Sequence, residues 1–308
     1  MDIRTIAFLL GRMAFLEGTA LSIAFLLSVL WGDARPAAFA LPAAFSFAFG
    51  GGFAGFGKGH RHVIGVTEGA VFLLSAWLLL SFLGALPFWF TGTFTGADAF
   101  FASVAAFTTT ALLFTPTGLQ SSLGFWQIFQ GWIGGLHFLI LLVTVMPQVG
   151  GCFGITLSAG SSLSFSPLLH RMNLAGRKMV LIYCVLTLVS GLFLLAGESL
   201  LPALVLALTS ISTTGLDPRG TVLGADKAPT ELAAAVSMFL AGVNFLLWKR
   251  VAARRSLRTL FADTELRVFL AVVLVGGLLL AGYLAYSGVY DGERSLRFGL
   301  FHAISFAT

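Results

Sequence analysis

Seven apolar runs, each long enough to cross a lipid bilayer, constrain this sequence more than any other feature. A membrane-spanning helix needs about 20 predominantly apolar residues. The runs cover residues 5–31, 36–56, 65–90, 125–146, 180–196, 232–248 and 268–286. Hydrophobic residues make up 57% of the 308 residues and charged residues only 10%, too few to cover a soluble surface. The sequence therefore predicts an all-α polytopic membrane protein.

Three shorter apolar stretches each lead into a Ser/Thr-rich elbow. They lie at residues 98–110, 204–215 and 298–308, and their elbows begin at Thr108, Ser212 and Thr308, 104 and 96 residues apart. Such stretches are too short to cross a bilayer, and non-helical backbone at membrane depth must line a cavity or be buried in protein. Hydroxyl clusters near span ends also occur merely to satisfy backbone groups. The repetition at similar spacing favours re-entrant pore loops.

This pattern predicts two leading helices followed by repeats of helix, pore loop and helix. The predicted segments are 1–64 for the leading helices, 65–178 and 179–266 for two complete repeats, and 267–308 for a third. The sequence stops inside the third elbow, so we expect the third repeat to be truncated there.

The basic residues predict the orientation. With the N-terminus in the cytoplasm, thirteen Lys and Arg residues fall on the inner side and five fall on the outer side, which satisfies the positive-inside rule. This orientation places all three elbows on the outer side. The formal net charge of +5 is then explained by loops that orient the helices, and nucleic acid is not an expected partner.

The elbows carry the chemistry that a permeating cation needs. A dehydrated cation requires oxygen ligands, which backbone carbonyls and uncharged hydroxyls supply without holding the ion too tightly. Glycine permits the left-handed backbone that turns successive carbonyls toward one axis. The second elbow, Ser212-Thr213-Thr214-Gly215, has hydroxyls and a glycine, whereas the first, Thr108-Thr109-Thr110-Ala111, ends in alanine.

Short motifs along nearly the whole chain resemble those of the Trk/Ktr/HKT superfamily of potassium-uptake proteins, most closely the bacterial Trk-type membrane subunit. The motifs are EG at 68–69, GALPF at 84–88, DAFF at 98–101, FTTT at 107–110, WIGG at 132–135, MP at 146–147, IY at 182–183, STTG at 212–215, GVN at 242–244, DTELR at 263–267 and SFAT at 305–308. No single motif is decisive, but their order and spacing make the set specific.

The resemblance implies potassium, or another monovalent cation, as the transported ligand, with no further cofactor in this chain. It implies four pore-loop repeats around a pseudo-fourfold pore, a homodimer, a cytosolic nucleotide-binding regulatory subunit and a location in the cell inner membrane. The implied selectivity-filter residues are Thr108, Thr109, Thr110, Ala111, Ser212, Thr213, Thr214, Gly215 and Thr308.

Three departures from the family pattern leave alternatives open. Ala111 stands where glycine is usual, which allows a sodium-preferring transporter. A chain that ends within its third filter also allows a non-conducting fragment. His137, at a position that resembles glycine in bacterial relatives, is an intramembrane ionisable residue and therefore a functional candidate, although a hydrogen-bonded neutral histidine would look the same.

The remaining polar residues give weaker indications of function. Serines at 158–166 with His137 or His170 would suit an intramembrane hydrolase, but the sequence has no Gly-x-Ser-x-Gly elbow and no acid placed to orient either histidine, so we do not expect an enzyme. Arg12 and Glu17 in the first span are expected to pair or to reach the interface. The basic run 249–258 is mainly an orientation signal that could also meet anionic lipid or a regulator. Cys152 and Cys184 are expected to be packing residues.

Overall fold

The computed structural model describes residues 3–33, 35–58, 66–110, 112, 122–149, 165–216, 227–256 and 258–308. Every regular element in these ranges is an α-helix, which confirms the predicted all-α class. The helices are α1 (Ile3–Trp31), α2 (Ala37–Phe56), α3 (Val66–Phe90), α4 (Gly96–Phe107), α5 (Ser122–Val149), α6 (Phe165–Leu194), α7 (Leu200–Ile211), α8 (Ala228–Gly242), α9 (Phe245–Arg254), α10 (Arg258–Phe261), α11 (Thr264–Tyr286) and α12 (Gly292–Ala307).

Helices occupy all seven predicted spans. Within the described residues, five helical stretches are long and apolar enough to cross a membrane: Ile3–Trp31, Ala37–Phe56, Val71–Phe90, Arg177–Leu194 and Thr264–Tyr286. A bent pair, α8 and α9, would make a sixth if counted as one span. Large apolar side chains are widely exposed on these helices, as expected where lipid rather than water is the solvent.

The chain divides into two compact units, Met1–Gly176 and Arg177–Thr308. In the first, α1 packs along α2, and α3 contacts α1, α2, α4 and α5. Small residues bring the first two helices together: a Cβ at Gly11 would collide with the backbone of Gly50 and Ala54. The core of this unit includes the fully buried Phe39, Phe88 and Trp126.

In the second unit, α7 packs against α8, and α12 packs against α11 and α8. Glycines again allow the closest approach. A Cβ at Gly299 would meet the backbone of Gly277 and Ala281, so α11 and α12 touch almost backbone to backbone. Alanines of α7 and α8 form a single apolar cluster with Leu194 of α6.

The predicted span at 232–248 is not one continuous helix. The helix stops at Gly242 and resumes at Phe245, and the two parts meet at 89°. Asn244 starts α9 as its N-cap: its side chain accepts a hydrogen bond from the Leu246 N–H at 2.9 Å and donates one to Glu265 at 3.0 Å. An N-cap residue inside an apolar run can therefore start a new helix, even where hydropathy alone predicts that a single helix continues.

The three predicted short stretches are helical. Helices α4 and α7 have 12 residues each, and α12 has 16, longer than the ten to twelve expected from the sequence. Helix α4 begins at a Thr95 N-cap whose hydroxyl also donates to Asp98 at 2.6 Å. Each short helix ends where the sequence places an elbow.

Candidate functional site

The first elbow closes the C-terminal end of α4 with a Schellman hydrogen-bond pattern. The Thr110 N–H donates to the Ala105 carbonyl at 2.9 Å, and the Thr109 N–H donates to the Ala106 carbonyl at 3.0 Å. The Thr108 hydroxyl donates to the Val104 carbonyl at 2.8 Å and lies 3.1 Å from the Thr110 hydroxyl. The three threonines thus hold one compact turn.

The second elbow repeats this pattern 104 residues later. The Thr214 N–H donates to the Thr209 carbonyl at 3.2 Å, and the Thr213 N–H donates to the Ser210 carbonyl at 3.4 Å. The Ser212 hydroxyl donates to the Leu208 carbonyl at 2.8 Å and lies 3.2 Å from the Thr214 hydroxyl. Every bond has its counterpart in the first elbow, so the two turns are the same local structure.

A threonine occupies the left-handed position of each turn. Thr109 has φ 59° and Thr213 has φ 53°, and the only other non-glycine residue with positive φ in the described ranges is Arg255. Glycine normally fills this position, because a β-branched side chain there costs roughly 1–3 kcal/mol. Left-handed backbone was predicted only for the glycine position, so the left-handed threonine was not expected from the sequence.

The fourth position of the second elbow does have left-handed backbone, because Gly215 has φ +67°. The corresponding residue of the first elbow, Ala111, lies outside the described residues. The first and third positions are more buried in the second elbow: Ser212 and Thr214 are each 4% exposed, whereas Thr108 is half-buried and Thr110 is exposed. The second position shows the opposite order, because Thr213 is exposed and Thr109 is half-buried.

Thr308 is the C-cap of α12, and its N–H donates to the Ile304 carbonyl at 3.0 Å. Thr108 and Ser212 make the same bond at the ends of α4 and α7. A Cβ added at Gly242 would collide with the Thr308 methyl group, so the last residue of α8 lies against this position. The first residue predicted for each elbow therefore stands at the C-terminal end of its short helix; we call these three short helices, α4, α7 and α12, the half-helices.

These turns present oxygen atoms without net charge. Each lies at the C-terminal end of a helix, where the macrodipole is equivalent to roughly half a negative charge. Threonine and serine hydroxyls and nearby backbone carbonyls add further partial negative charge, and no acidic side chain lies within 108–110 or 212–216. Such an arrangement favours a partly dehydrated monovalent cation.

Close packing fixes the first elbow against α5. A Cβ at Gly134 would overlap the carbonyl oxygen of Phe107, the last residue of α4. Three residues further along α5, the His137 ring lies 5.6 Å from the Phe107 ring, centroid to centroid. His137 is thus a neighbour of the elbow and not a member of it.

Other candidates from the sequence lie apart from the elbows. Glu17 is 2% exposed with no hydrogen-bond partner for its Oε1 atom, and Arg12 is exposed, so of the two expectations the pairing is not seen, and the reach of Arg12 to the interface stays a prediction. Cys184 is a free thiol in α6, whereas Cys152 lies outside the described residues. Over the described ranges, no group of three His, Cys, Asp or Glu side chains is placed to hold a metal ion.

Comparison with known proteins gives close to full-length matches for this chain. No family model matches it. The Trk system potassium uptake proteins TrkH of Salmonella typhimurium and of Escherichia coli strain K12 are each 26% identical over 318 residues, which covers 100% of this chain and 66% of each relative. The crystal structure of the potassium transporter TrkH from Vibrio parahaemolyticus matches with a TM-score of 0.84 at 21% identity, over 99% of this chain and 64% of that one. The chain therefore spans just under two thirds of these proteins.

Proposed function

Because this chain is homologous to the Trk system potassium uptake proteins, we propose that it is part of a potassium uptake pathway. In this proposal its elbows bind the permeating ion. The observation that carries the proposal is the shared geometry of the first two elbows, which repeats the same hydrogen bonds at a spacing of 104 residues. A turn that recurs with its unfavourable threonine is more readily explained by ion binding than by helix capping.

Permeation requires no covalent chemistry. Each elbow offers hydroxyl and carbonyl oxygens to an ion that has left part of its water behind, and the negative end of a helix dipole adds to the attraction. Because these groups carry no full charge, the ion is also free to leave. The proposed ligand-bearing residues are 108–111, 212–215 and Thr308.

The orientation and the assembly belong to the same proposal. The distribution of basic residues favours a cytoplasmic N-terminus, with the elbows on the outer side of the cell inner membrane. The resemblance to Trk-type subunits favours a homodimer and a cytosolic nucleotide-binding regulatory subunit. Sodium preference is the second candidate, and the observation that favours it is alanine at position 111 in place of glycine.

The test is the potassium-to-sodium uptake ratio of the natural full-length protein in a host that lacks potassium uptake. Gly215→Ser places a side chain at a left-handed position beside the proposed ligands, and we expect the ratio to fall several-fold. Gly288→Ser is the matched control, because Gly288 also has φ +67° and open space around it but lies in a turn outside the elbows. An equal ratio in both variants and the wild type would contradict the assignment of the second elbow.

Ala111→Gly tests the first elbow in the same assay. It restores the residue that the Trk pattern has at this position, and we expect the potassium preference to rise. A fall or no change would count against the assignment of residues 108–111.

A further inference from the structure

Helices α1, α3 and α5 line a cavity of about 290 Å³ within the first unit. Its walls are mostly apolar and include the aromatic rings of Phe72 and Phe129. Two ionisable side chains also line it, Glu17 from α1 and His137 from α5, and α3 contributes none. Leu16 and Ile23, both at the cavity, are 61% and 47% exposed on α1, so the cavity opens toward the lipid-facing surface of this helix.

Glu17 is the unusual member of this lining. The residue is 2% exposed, and its Oε1 atom has no hydrogen-bond partner. An ionised carboxylate without a partner is costly in an apolar environment, and more so within a bilayer. The group therefore requires either a proton or a cation beside it, and the exposed Arg12 does not supply one.

We propose that this cavity binds a hydrophobic organic cation, a quaternary or protonated amine, with its ammonium group at Glu17 and its apolar body in the apolar part of the cavity. The carboxylate supplies the complementary charge, and the apolar lining, which includes Phe72 and Phe129, accommodates the substituents of the amine. The volume is sufficient, since an apolar cavity of about 150 Å³ already holds benzene.

An inorganic cation fits this cavity poorly. A dehydrated metal ion needs several ligands, and the side chains of the lining offer only the Glu17 carboxylate, the His137 imidazole and the Thr19 hydroxyl, which already donates to the Leu16 carbonyl at 2.6 Å. An organic cation needs fewer ligands because its charge is spread over apolar groups. The site is thus chemically distinct from the elbows and does not depend on their proposed function.

The experiment measures binding of benzyltrimethylammonium to the purified full chain in lipid nanodiscs, with neopentylbenzene as a neutral probe of the same shape. We expect saturable binding of the cation to the wild type. Glu17→Gln removes the charge at constant size and should weaken cation binding more than about tenfold, since removing one member of a buried charge pair is expensive. Binding of the neutral probe should be unchanged.

Two further variants complete the test. Asp291→Asn removes an exposed carboxylate at the start of α12 that makes no capping hydrogen bond, and it should leave both affinities unchanged. Ile23→Trp narrows the cavity from its exposed side and should weaken binding of both probes. The proposal is overturned if the wild type shows no saturable cation binding, if Glu17→Gln affects both probes equally or neither, or if Ile23→Trp leaves both affinities unchanged.

Discussion

Helices α4 and α7 end in the same turn but are held in place by different contacts. In α4 the Ser103 hydroxyl donates to the Ser81 carbonyl at 2.6 Å and accepts from the Gln130 amide at 2.6 Å, all of it buried. The residue 104 positions after Ser103 is Ala207, which belongs to an apolar cluster with alanines of α8. A buried polar tether thus joins α4 to α5, whereas α7 meets α8 through apolar side chains.

The starts of these two helices differ as well. The Thr95 side chain accepts a hydrogen bond from the Asp98 N–H at 3.5 Å, whereas the Ser199 side chain makes no such bond at the start of α7. Beside Ser199, Glu198 pairs instead with Lys227 at 2.8 Å. The elbow geometry is therefore set by its own local hydrogen bonds, while the position of each half-helix is set by the contacts that its neighbours offer.

The largest expected effect comes from disturbing the backbone contact that is particular to the first elbow. In Gly134→Ala, the added methyl group overlaps the Phe107 carbonyl, which is backbone and has little room to move. We expect a loss of about 3 kcal/mol in the free energy of unfolding, because overpacking of a close contact typically costs 1–3 kcal/mol and sometimes more. The loss would appear as a clear fall in the melting temperature of the purified protein.

The same substitution elsewhere in the unit serves as the control. Gly52 lies in α2 with nothing within 4 Å of an added Cβ. Gly52→Ala should therefore be neutral or stabilise the protein by up to about 1 kcal/mol, the usual helix-propensity gain. Equal melting temperatures for the two variants would show that the Gly134 contact does not hold the elbow.

A smaller effect is expected from removing the polar tether. Ser103→Ala leaves the Gln130 amide buried without its partner, which should cost about 2 kcal/mol. The double variant Ser103→Ala/Gln130→Met makes the contact apolar, as it is in the second unit, and should recover most of the melting temperature. Ala207→Ser should change stability little, because a serine there can bond to its own helix. If the double variant does not recover the melting temperature, an apolar contact cannot replace the Ser103–Gln130 hydrogen bond between α4 and α5.

The smallest effect is expected at the left-handed threonines. Thr109→Gly and Thr213→Gly relieve an unfavourable conformation, but glycine loses more backbone entropy on folding, so each net change should be below about 1 kcal/mol. Since the two turns share their hydrogen bonds, the shifts in melting temperature should be equal within error. Unequal shifts would show that the surroundings, and not the turn, determine the strain.

Hydropathy was enough to place most of the fold. The helices at 5–31, 36–56, 65–90 and 268–286 were predicted within a few residues, because a long apolar run has few alternatives in a membrane. The break at Gly242–Asn244 was missed, since two small or polar residues barely change the average hydropathy. Asn244, an N-cap residue type inside an apolar run, is the sequence feature that indicates this break.

The sequence also located the elbows but not what supports them. Thr108, Ser212 and Thr308 do end their half-helices, yet their role as cation ligands stays a prediction. The Ser103–Gln130 hydrogen bond and the Gly134–Phe107 contact join residues 27 positions apart, which helical periodicity does not pair. Left-handed threonine was not predicted because the intrinsic preference of the residue argues against it, and only the surrounding hydrogen bonds reverse that preference.

The first two half-helices, α4 and α7, pack on helices that are synthesised after them. Helix α4 packs on α3 and α5, and α7 packs on α8, so each needs a helix that leaves the ribosome after it. Because chains emerge from the N-terminus, the first two elbows must wait near water until α5 and α8 are inserted, and only then does the packing that holds them form.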